Sequence, residues 1–118
     1  MFGQKLEGAV ASVGGSEAAI LMGLDGIQVD AFCASKELDI ETVGMEFSVL
    51  LKEVRKAADL LEAGDAEEMT VRTEKMVTVL RIVNENYFVA LVLSTDGNLG
   101  KARYTLRVLA PEMAKDLE

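Results

Sequence analysis

Histidine and cysteine supply most catalytic bases and metal ligands in proteins, and this chain is nearly devoid of both. It contains no His and a single cysteine, Cys33. Zinc sites of the usual Cys/His kind are therefore excluded, and the commonest general base is missing. Lys36 is a nearby cation that would activate a thiolate, but without a His partner Cys33 is predicted to be half-buried and structural.

Acidic and glycine-rich segments are the remaining candidates for chemistry. The chain has twenty carboxylate side chains, yet none is paired in the apolar setting that general acid catalysis requires. Asp65, Glu67 and Glu68 are predicted to form a solvated acidic turn. No GxxxxGK[ST] phosphate loop occurs, and Gly97–Gly100 at a helix start is a weak match to an anion site. The sequence therefore predicts no enzyme active site, no cofactor and no metal.

Arginine side chains can also act on a bound partner, because some proteins stimulate GTP hydrolysis by inserting an arginine into the GTPase active site. The five arginines are Arg55, Arg72, Arg81, Arg103 and Arg107. Each is predicted on a helix or strand surface rather than on a projecting loop. None is therefore favoured for that role.

The length, charge and cysteine content of the chain limit the number of domains, the classes of partner and the cellular compartment that we expect. With 118 residues, half of them hydrophobic, residues 1–118 are predicted to form a single domain with an aliphatic core. A net charge of −8 argues against binding nucleic acid or an anionic membrane, since both attract basic patches. The lone cysteine, the lack of a signal-peptide pattern and the lack of an apolar run of about 18 residues predict a cytoplasmic protein without membrane insertion.

Apolar spacing predicts the element order helix, strand, strand, helix, three strands, helix. Glu17–Met22 and Tyr87–Leu93 are apolar on both faces, which predicts two central strands, whereas the alternation in Ile27–Phe32 predicts an edge strand. The other predicted elements are the strands Glu68–Thr73 and Met76–Val83 and helices over 2–13, over 39–63 and from Asn98. The fold class is therefore α+β, a five-stranded antiparallel sheet with helices on both faces.

The long helix Asp39–Ala63 carries two separate apolar stripes. The larger stripe is predicted to pack on the sheet, and it consists of Val43, Phe47, Leu50, Leu51, Val54, Ala58 and Leu61. The smaller stripe consists of Met45, Val49 and Leu60, interleaved with Glu46, Glu53 and Lys56 and lying beside Lys52. A helix on a sheet has no need of this second stripe, so it is interpreted either as scattered surface residues or as a face that binds a partner.

The strand Glu68–Thr73 is a candidate for pairing with another chain. Met69 and Val71 alternate with Thr70 and Arg72 along it, and no proline blocks its edge. An unprotected edge strand offers unpaired backbone groups to a second strand.

The last third of the chain resembles part of a known family. The strand YFVALVL runs into Ser94–Gly100 (STDGNLG), where Asn98 is predicted as the helix N-cap, and then into the helical pattern LGKARYTLRVLAPEM. This segment resembles the C-terminal strand–turn–helix of the roadblock family, the dynein light-chain roadblock-type domains. The element order resembles that family over essentially the whole chain, which implies a profilin-like/roadblock fold with sheet order 2-1-5-4-3. Pro111 interrupts the helical pattern and is predicted to kink or end the last helix.

The resemblance also implies partners. Roadblock domains pair through their third strands and pack their long helices antiparallel, which implies a homodimer with a continuous ten-stranded sheet. The family's similarity to bacterial regulators of the gliding-motility type implies a Ras-like small GTPase bound on the paired long helices, with its switch regions reshaped without an arginine finger. The alternative is an adaptor subunit of a motor, polarity or signalling assembly; a small-molecule sensor has no polar constellation in its favour. The expected interface residues are Met45, Glu46, Val49, Lys52, Glu53, Lys56, Leu60, Met69, Val71 and Arg72.

Overall fold

The computed structural model describes residues 2–117, which form three helices and five strands. The helices are α1 (Phe2–Ser12), α2 (Ile40–Leu60) and α3 (Leu99–Asp116). The strands are β1 (Ser16–Gly23), β2 (Gln28–Cys33), β3 (Glu68–Arg72), β4 (Val77–Ile82) and β5 (Tyr87–Leu93). Neighbouring strands are antiparallel and follow the order β2-β1-β5-β4-β3. The predicted element order and sheet order are confirmed.

The two strands that are apolar on both faces, β1 and β5, lie side by side at the centre of the sheet. Ile20 of β1 stands opposite Ala90 of β5, and Leu21 stands opposite Val89. Successive side chains of a strand point to opposite faces, so these strands feed two separate cores. Leu21 packs in the core under α1 and α3, whereas Ile20 packs in the core under α2. A strand buried on both faces needs an uninterrupted apolar run, and this explains the composition of β1 and β5.

The helices cover the two faces of the sheet unequally. On one face, α1 packs on β1 and β2 while α3 packs on β4 and β5. On the other face, α2 makes its main contacts with β1 and β2. Within residues 2–117, the main helix contacts of that face therefore do not extend to β3 and the ends of β4, although Thr78 and Leu80 in the middle of β4 are fully buried. We call this region the open half; its half-buried apolar side chains are Met69, Val71, Met76 and Ile82.

Side-chain caps fix the start of both long helices. The Asp39 carboxylate accepts hydrogen bonds from the Thr42 hydroxyl at 2.8 Å and from the Thr42 amide at 3.2 Å, and Asn98 Oδ1 accepts one from the Lys101 amide. The hydroxyl bond and then the amide bond hold the pKa of Asp39 below its ordinary value. Because the folded-state pKa is depressed, the cap stabilises the fold above the ordinary aspartate pKa, and this contribution is lost as pH falls through the lowered value.

The helix α3 does not end at Pro111, so of the two predicted outcomes, a kink or an end, the end is wrong. It continues to Asp116, and Leu109, Ala110 and Met113 are buried against the sheet on either side of the proline. Pro111 and Arg107 are both exposed. Water can therefore hydrate the Arg107 carbonyl that would otherwise bond the missing amide at position 111. Packing of the buried face outweighs the local helix-breaking preference.

Substitution of Pro111 by Ala is expected to raise the free energy of unfolding by about 1–2 kcal/mol. A proline costs about 3 kcal/mol relative to alanine in a helix interior, and part of this gain is offset because proline also restricts the unfolded chain. Urea unfolding followed by circular dichroism measures the change. A decrease in stability would contradict this account and would show that the proline ring itself contributes to packing.

Candidate interaction surface

The outward face of α2 carries a mixed apolar and charged surface. Met45, Val49 and Leu60 are exposed, and Val49 and Leu60 have 55% and 80% of their surface accessible. The charged residues predicted beside them are also exposed: Glu46, Lys52, Glu53 and Lys56. We call these seven residues the outward stripe. Alternating aliphatic and charged groups at helical spacing suit contact with another protein, where the apolar groups supply area and the charges supply orientation.

The stripe that packs α2 on the sheet differs from the predicted one. Leu50, Val54 and Leu61 were expected against the sheet, but all three are exposed, Leu50 at 47% and Leu61 at 77%. Leu51 is buried as predicted, and Val43 and Phe47 pack half-buried against the same core, while Ile40, Gly44 and Ser48 complete the buried face of the helix. The prediction for Leu50, Val54 and Leu61 is therefore wrong.

Two small residues explain why the helix is rotated away from the predicted orientation. A Cβ added at Gly44 would lie 2.9 Å from Met22 Cε, so the missing side chain lets α2 approach β1 closely. Ser48 is buried, and its hydroxyl donates to the Met45 carbonyl at 2.7 Å. With its hydrogen bond satisfied inside the helix, the serine costs little to bury. Small residues at the contact decide which face of the helix meets the sheet.

Leu50, Val54 and Leu61 belong to a further apolar surface of the helix, which we call the α2 seam. Its members are Val43, Phe47, Leu50, Val54, Ala57 and Leu61. They recur at alternating spacings of four and three residues, the pattern by which two helices pack side by side. Val43 and Phe47 are half-buried against the core under α2, and the seam becomes exposed from Leu50 onward. The 4–3 spacing is visible in the sequence and is the signal that could have identified this surface.

Strand β3 continues the apolar surface at the edge of the sheet. Within residues 2–117 it pairs only with β4, so its other edge is unpaired. Met69 stands opposite Leu80, and Val71 stands opposite Thr78, which places both side chains on the same face as α2. Met69 and Val71 therefore lie on the α2 face of the sheet, where they form the open half with Met76 and Ile82.

Arg72 lies on the opposite face of the sheet from the other candidate residues. It pairs with Val77, whose side chain belongs to the core under α1 and α3. Its Nη1 donates to the Thr95 carbonyl at 3.0 Å. Arg72 is therefore separate from the residues of α2, although it shares the β3 edge.

The groups considered for chemistry remain dispersed. Cys33 is exposed rather than half-buried, which corrects the prediction, and its Sγ donates to the Ser35 carbonyl at 2.9 Å. Glu68 belongs to β3 and forms ion pairs with Arg81 and Arg103, so it is not part of a solvated turn. Among residues 2–117, no three potential ligands from His, Cys, Asp and Glu are grouped to hold a metal ion. No helix in this described part of the chain is both long and apolar enough to cross a membrane.

Comparison with solved structures identifies relatives over almost the full length of the chain. The crystal structure of MglC from Myxococcus xanthus is 44% identical in sequence, with 98% of each chain covered and a TM-score of 0.70. The Roadblock/LC7 domain from Streptomyces avermitilis is 16% identical, with 98% of this chain and 96% of that chain covered and a TM-score of 0.87. No family model and no curated protein matched the sequence.

MglB structures share the same fold. The gliding protein MglB from Thermus thermophilus is 19% identical and an MglB with tetrameric arrangement is 20% identical, with TM-scores of 0.84 and 0.85; each covers 95% of this chain and 84% of the other. Acanthamoeba castellanii profilin IB, 13% identical, has a TM-score of 0.60 over the full length of both chains, which confirms the profilin-like architecture.

These relatives support a regulatory or adaptor role. The assignment to a family rests on the MglC match, because 44% identity over 98% of both chains goes well beyond a shared fold. The sheet order and the roadblock structures agree with it. The chain belongs to the roadblock family, as a relative of MglC.

Proposed function

We propose that the chain is a homodimeric regulatory protein that binds a Ras-like small GTPase on the outward stripe of its paired α2 helices. One observation carries this proposal: α2 exposes two different apolar surfaces, the α2 seam and the outward stripe. A second copy of the chain can cover only the surface that faces it. The other surface stays available for a different partner.

The α2 seam and the open half support self-association. The seam borders the open half, because Val43 and Phe47 join the same core as Met69 and Met76, and these four side chains are only half-buried in the single chain. The α2 helix of a second copy would lie along the seam and cover the open half. Pairing of the two β3 edges would then join the sheets. A twofold arrangement satisfies both surfaces at once because each contacts its own counterpart.

The outward stripe supports binding of a second protein. It points away from the sheet, so a dimer formed through the seam leaves it exposed in both copies. Two stripes side by side present a platform of methionine and aliphatic side chains framed by lysine and glutamate. Exposed methionine adapts to the shape of a partner, and the charges favour one orientation of docking.

Binding at this platform would not supply an arginine finger. Arg55 is the only arginine of α2, and its Nη1 donates to the Glu85 carbonyl at 3.0 Å. The arginine is thus held against the β4–β5 turn rather than in the outward stripe. An effect on the nucleotide cycle would therefore come from reshaping or holding the GTPase.

Substitution of Val49 by Glu is expected to weaken binding of the cognate GTPase at least about tenfold, since it places a carboxylate in an apolar contact. The dimer and the free energy of unfolding should be nearly unchanged, because Val49 is exposed and lies outside the α2 seam. Purified protein would be titrated with candidate small GTPases in their GDP and GTP forms. Val108→Glu, the same change on exposed α3, is the matched control and should bind like the native chain.

Three results would contradict the proposal. Equal loss of binding in Val49→Glu and Val108→Glu would show that the outward stripe is not the surface that contacts the GTPase. Absence of binding by any candidate GTPase in either nucleotide state, while another assembly co-purifies, would favour the adaptor role without direct GTPase binding. Strong unfolding of Val49→Glu would place the stripe in the core.

A further inference from the structure

Most arginines of this acidic protein are concentrated at one place. Three of the five lie around Glu68 at the start of β3: Arg81 on β4, and Arg103 and Arg107 on α3. The chain as a whole has a net charge of −8. Outside these three arginines and Glu68, nine basic and nineteen acidic residues remain. This side of the molecule therefore differs in charge from the rest.

A single carboxylate organises the cluster. Glu68 Oε2 accepts a hydrogen bond from Arg81 Nη1 at 3.1 Å, and Glu68 Oε1 accepts one from Arg103 Nε at 2.7 Å. Arg107 lies over the Tyr104 ring, with its guanidinium carbon 5.4 Å from the ring centre. One internal carboxylate thus serves two guanidinium groups, while Arg107 has no carboxylate partner among the ion pairs of residues 2–117.

Two arginines of the cluster, Arg103 and Arg107, line a groove together with Glu68. A cavity of about 200 Å³ is bounded by Glu68, Gly100, Arg103, Tyr104 and Arg107. Gly100 has no side chain to fill the space, and 54% of the Arg103 side chain is accessible. Guanidinium groups present several fixed N–H donors that match a carboxylate. The groove can therefore take carboxylates beyond the one that Glu68 already supplies.

We propose that this groove between α3 and β3 binds an acidic segment of a partner protein. Charge complementarity selects the occupant: the arginines attract carboxylates, and Glu68 shows the contact that a further carboxylate would make. The excess of acidic residues elsewhere repels a long polyanion or a planar anionic surface, whereas a short segment can stay within the basic groove.

The groove is separate from the α2 seam and the outward stripe, and it shares only β3, through Glu68, with the strand pairing proposed for the dimer. It lies on the α1–α3 face of the sheet, whereas the α2 seam and the outward stripe lie on the opposite face. Arg107 belongs neither to α2 nor to β3. Changes at Arg107 therefore test the groove without altering the other two surfaces.

A fluorescein-labelled peptide of four glutamates, titrated with the full chain at low ionic strength and followed by fluorescence anisotropy, tests the proposal. The native chain is expected to bind the peptide despite its net negative charge. Arg107→Glu should weaken binding about tenfold, since it reverses the charge at an unpaired arginine. Glu68→Gln should strengthen binding severalfold, because Arg81 and Arg103 lose their internal carboxylate. Lys36→Glu, with the same charge change at an exposed position before α2, should leave binding unchanged.

Several outcomes would overturn the proposal. The groove would be excluded by absence of binding, by equal loss in Arg107→Glu and Lys36→Glu, or by weaker binding in Glu68→Gln. Tighter binding of phosphatidylserine vesicles or of single-stranded DNA than of the peptide would show that the groove binds a lipid surface or a nucleic acid and not an acidic segment of a protein. Light scattering and circular dichroism should show that all three variants keep the native mass and fold, so failure here is distinct from failure of the dimer.

Discussion

Replacing Val54 by Glu is expected to convert a dimer of the chain into monomers. Val54 lies in the middle of the α2 seam and is exposed in the single chain. In a twofold dimer the change places two carboxylates in the contact between the helices, where each loses its hydration and both repel each other. We expect the dissociation constant to rise at least about a hundredfold, which corresponds to about 2.8 kcal/mol. Light scattering across micromolar concentrations measures the change.

Val49→Glu is the control that shows whether the loss of the dimer is confined to changes in the α2 seam. Both variants change an exposed valine of α2 to glutamate, but Val49 belongs to the outward stripe. We expect Val49→Glu to retain a mass of about twice 12.7 kDa, and Val54→Glu to show the mass of one chain. Dimeric Val54→Glu beside monomeric Val49→Glu would reverse the assignment of the two surfaces.

Replacing Gly15 by Ala is expected to lower the free energy of unfolding by about 2–4 kcal/mol. Gly15 has a φ of +84°, and a Cβ added there would lie 2.5 Å from the Gly97 Cα. Backbone atoms cannot move aside as a flexible side chain can. This contact joins the start of β1 to the segment after β5, where the Ser94 amide donates to the Gly15 carbonyl at 2.8 Å. The substitution therefore strains the junction that holds α3 in place.

The neighbouring glycine supplies a matched control. A Cβ added at Gly14 would meet nothing within 4 Å, and Gly14 is not among the residues with positive φ. Gly14→Ala should therefore change stability by no more than about 0.5 kcal/mol, as is usual for a surface position. Urea unfolding of both variants gives the comparison. Similar stabilities for the two would show that the tight approach at Gly15 relaxes without cost.

The strands and the helix starts could be predicted from the sequence because local patterns determine them. The seven apolar residues of Tyr87–Leu93 fit only a strand covered on both faces, and the alternation in β2 fits an edge. Asp39 and Asn98 have side chains that accept from the first free amides of a helix, and both are the N-caps. The central pairing of β1 with β5 follows from burial, since two strands that avoid water on both faces are best placed side by side.

The orientation of α2 could not be predicted by counting large apolar residues. Gly44 and Ser48 set the contact with β1 because they are small, so Leu50, Val54 and Leu61 turn outward. The groove at Glu68 was missed for a related reason. Glu68, Arg81 and Arg103 come from three elements that meet only after the sheet has formed. When the residues of a surface come from distant segments of the chain, their spacing in the sequence shows no regular pattern that would predict the surface.

A disulfide cross-linking scan along α2 tests whether the α2 seam, and not the outward stripe, is the contact between two copies of the chain. Single cysteines would replace Leu50, Val54 and Ala57 of the α2 seam, and Val49 and Lys56 of the outward stripe, each in a Cys33→Ser background. Two cysteines form a disulfide only when their Cα atoms are within about 7 Å, and seam residues near a twofold axis meet this condition. We expect covalent dimers at one or more of the three seam positions and none at the outward positions. Cross-links confined to the outward stripe, or none anywhere on the helix, would contradict the account.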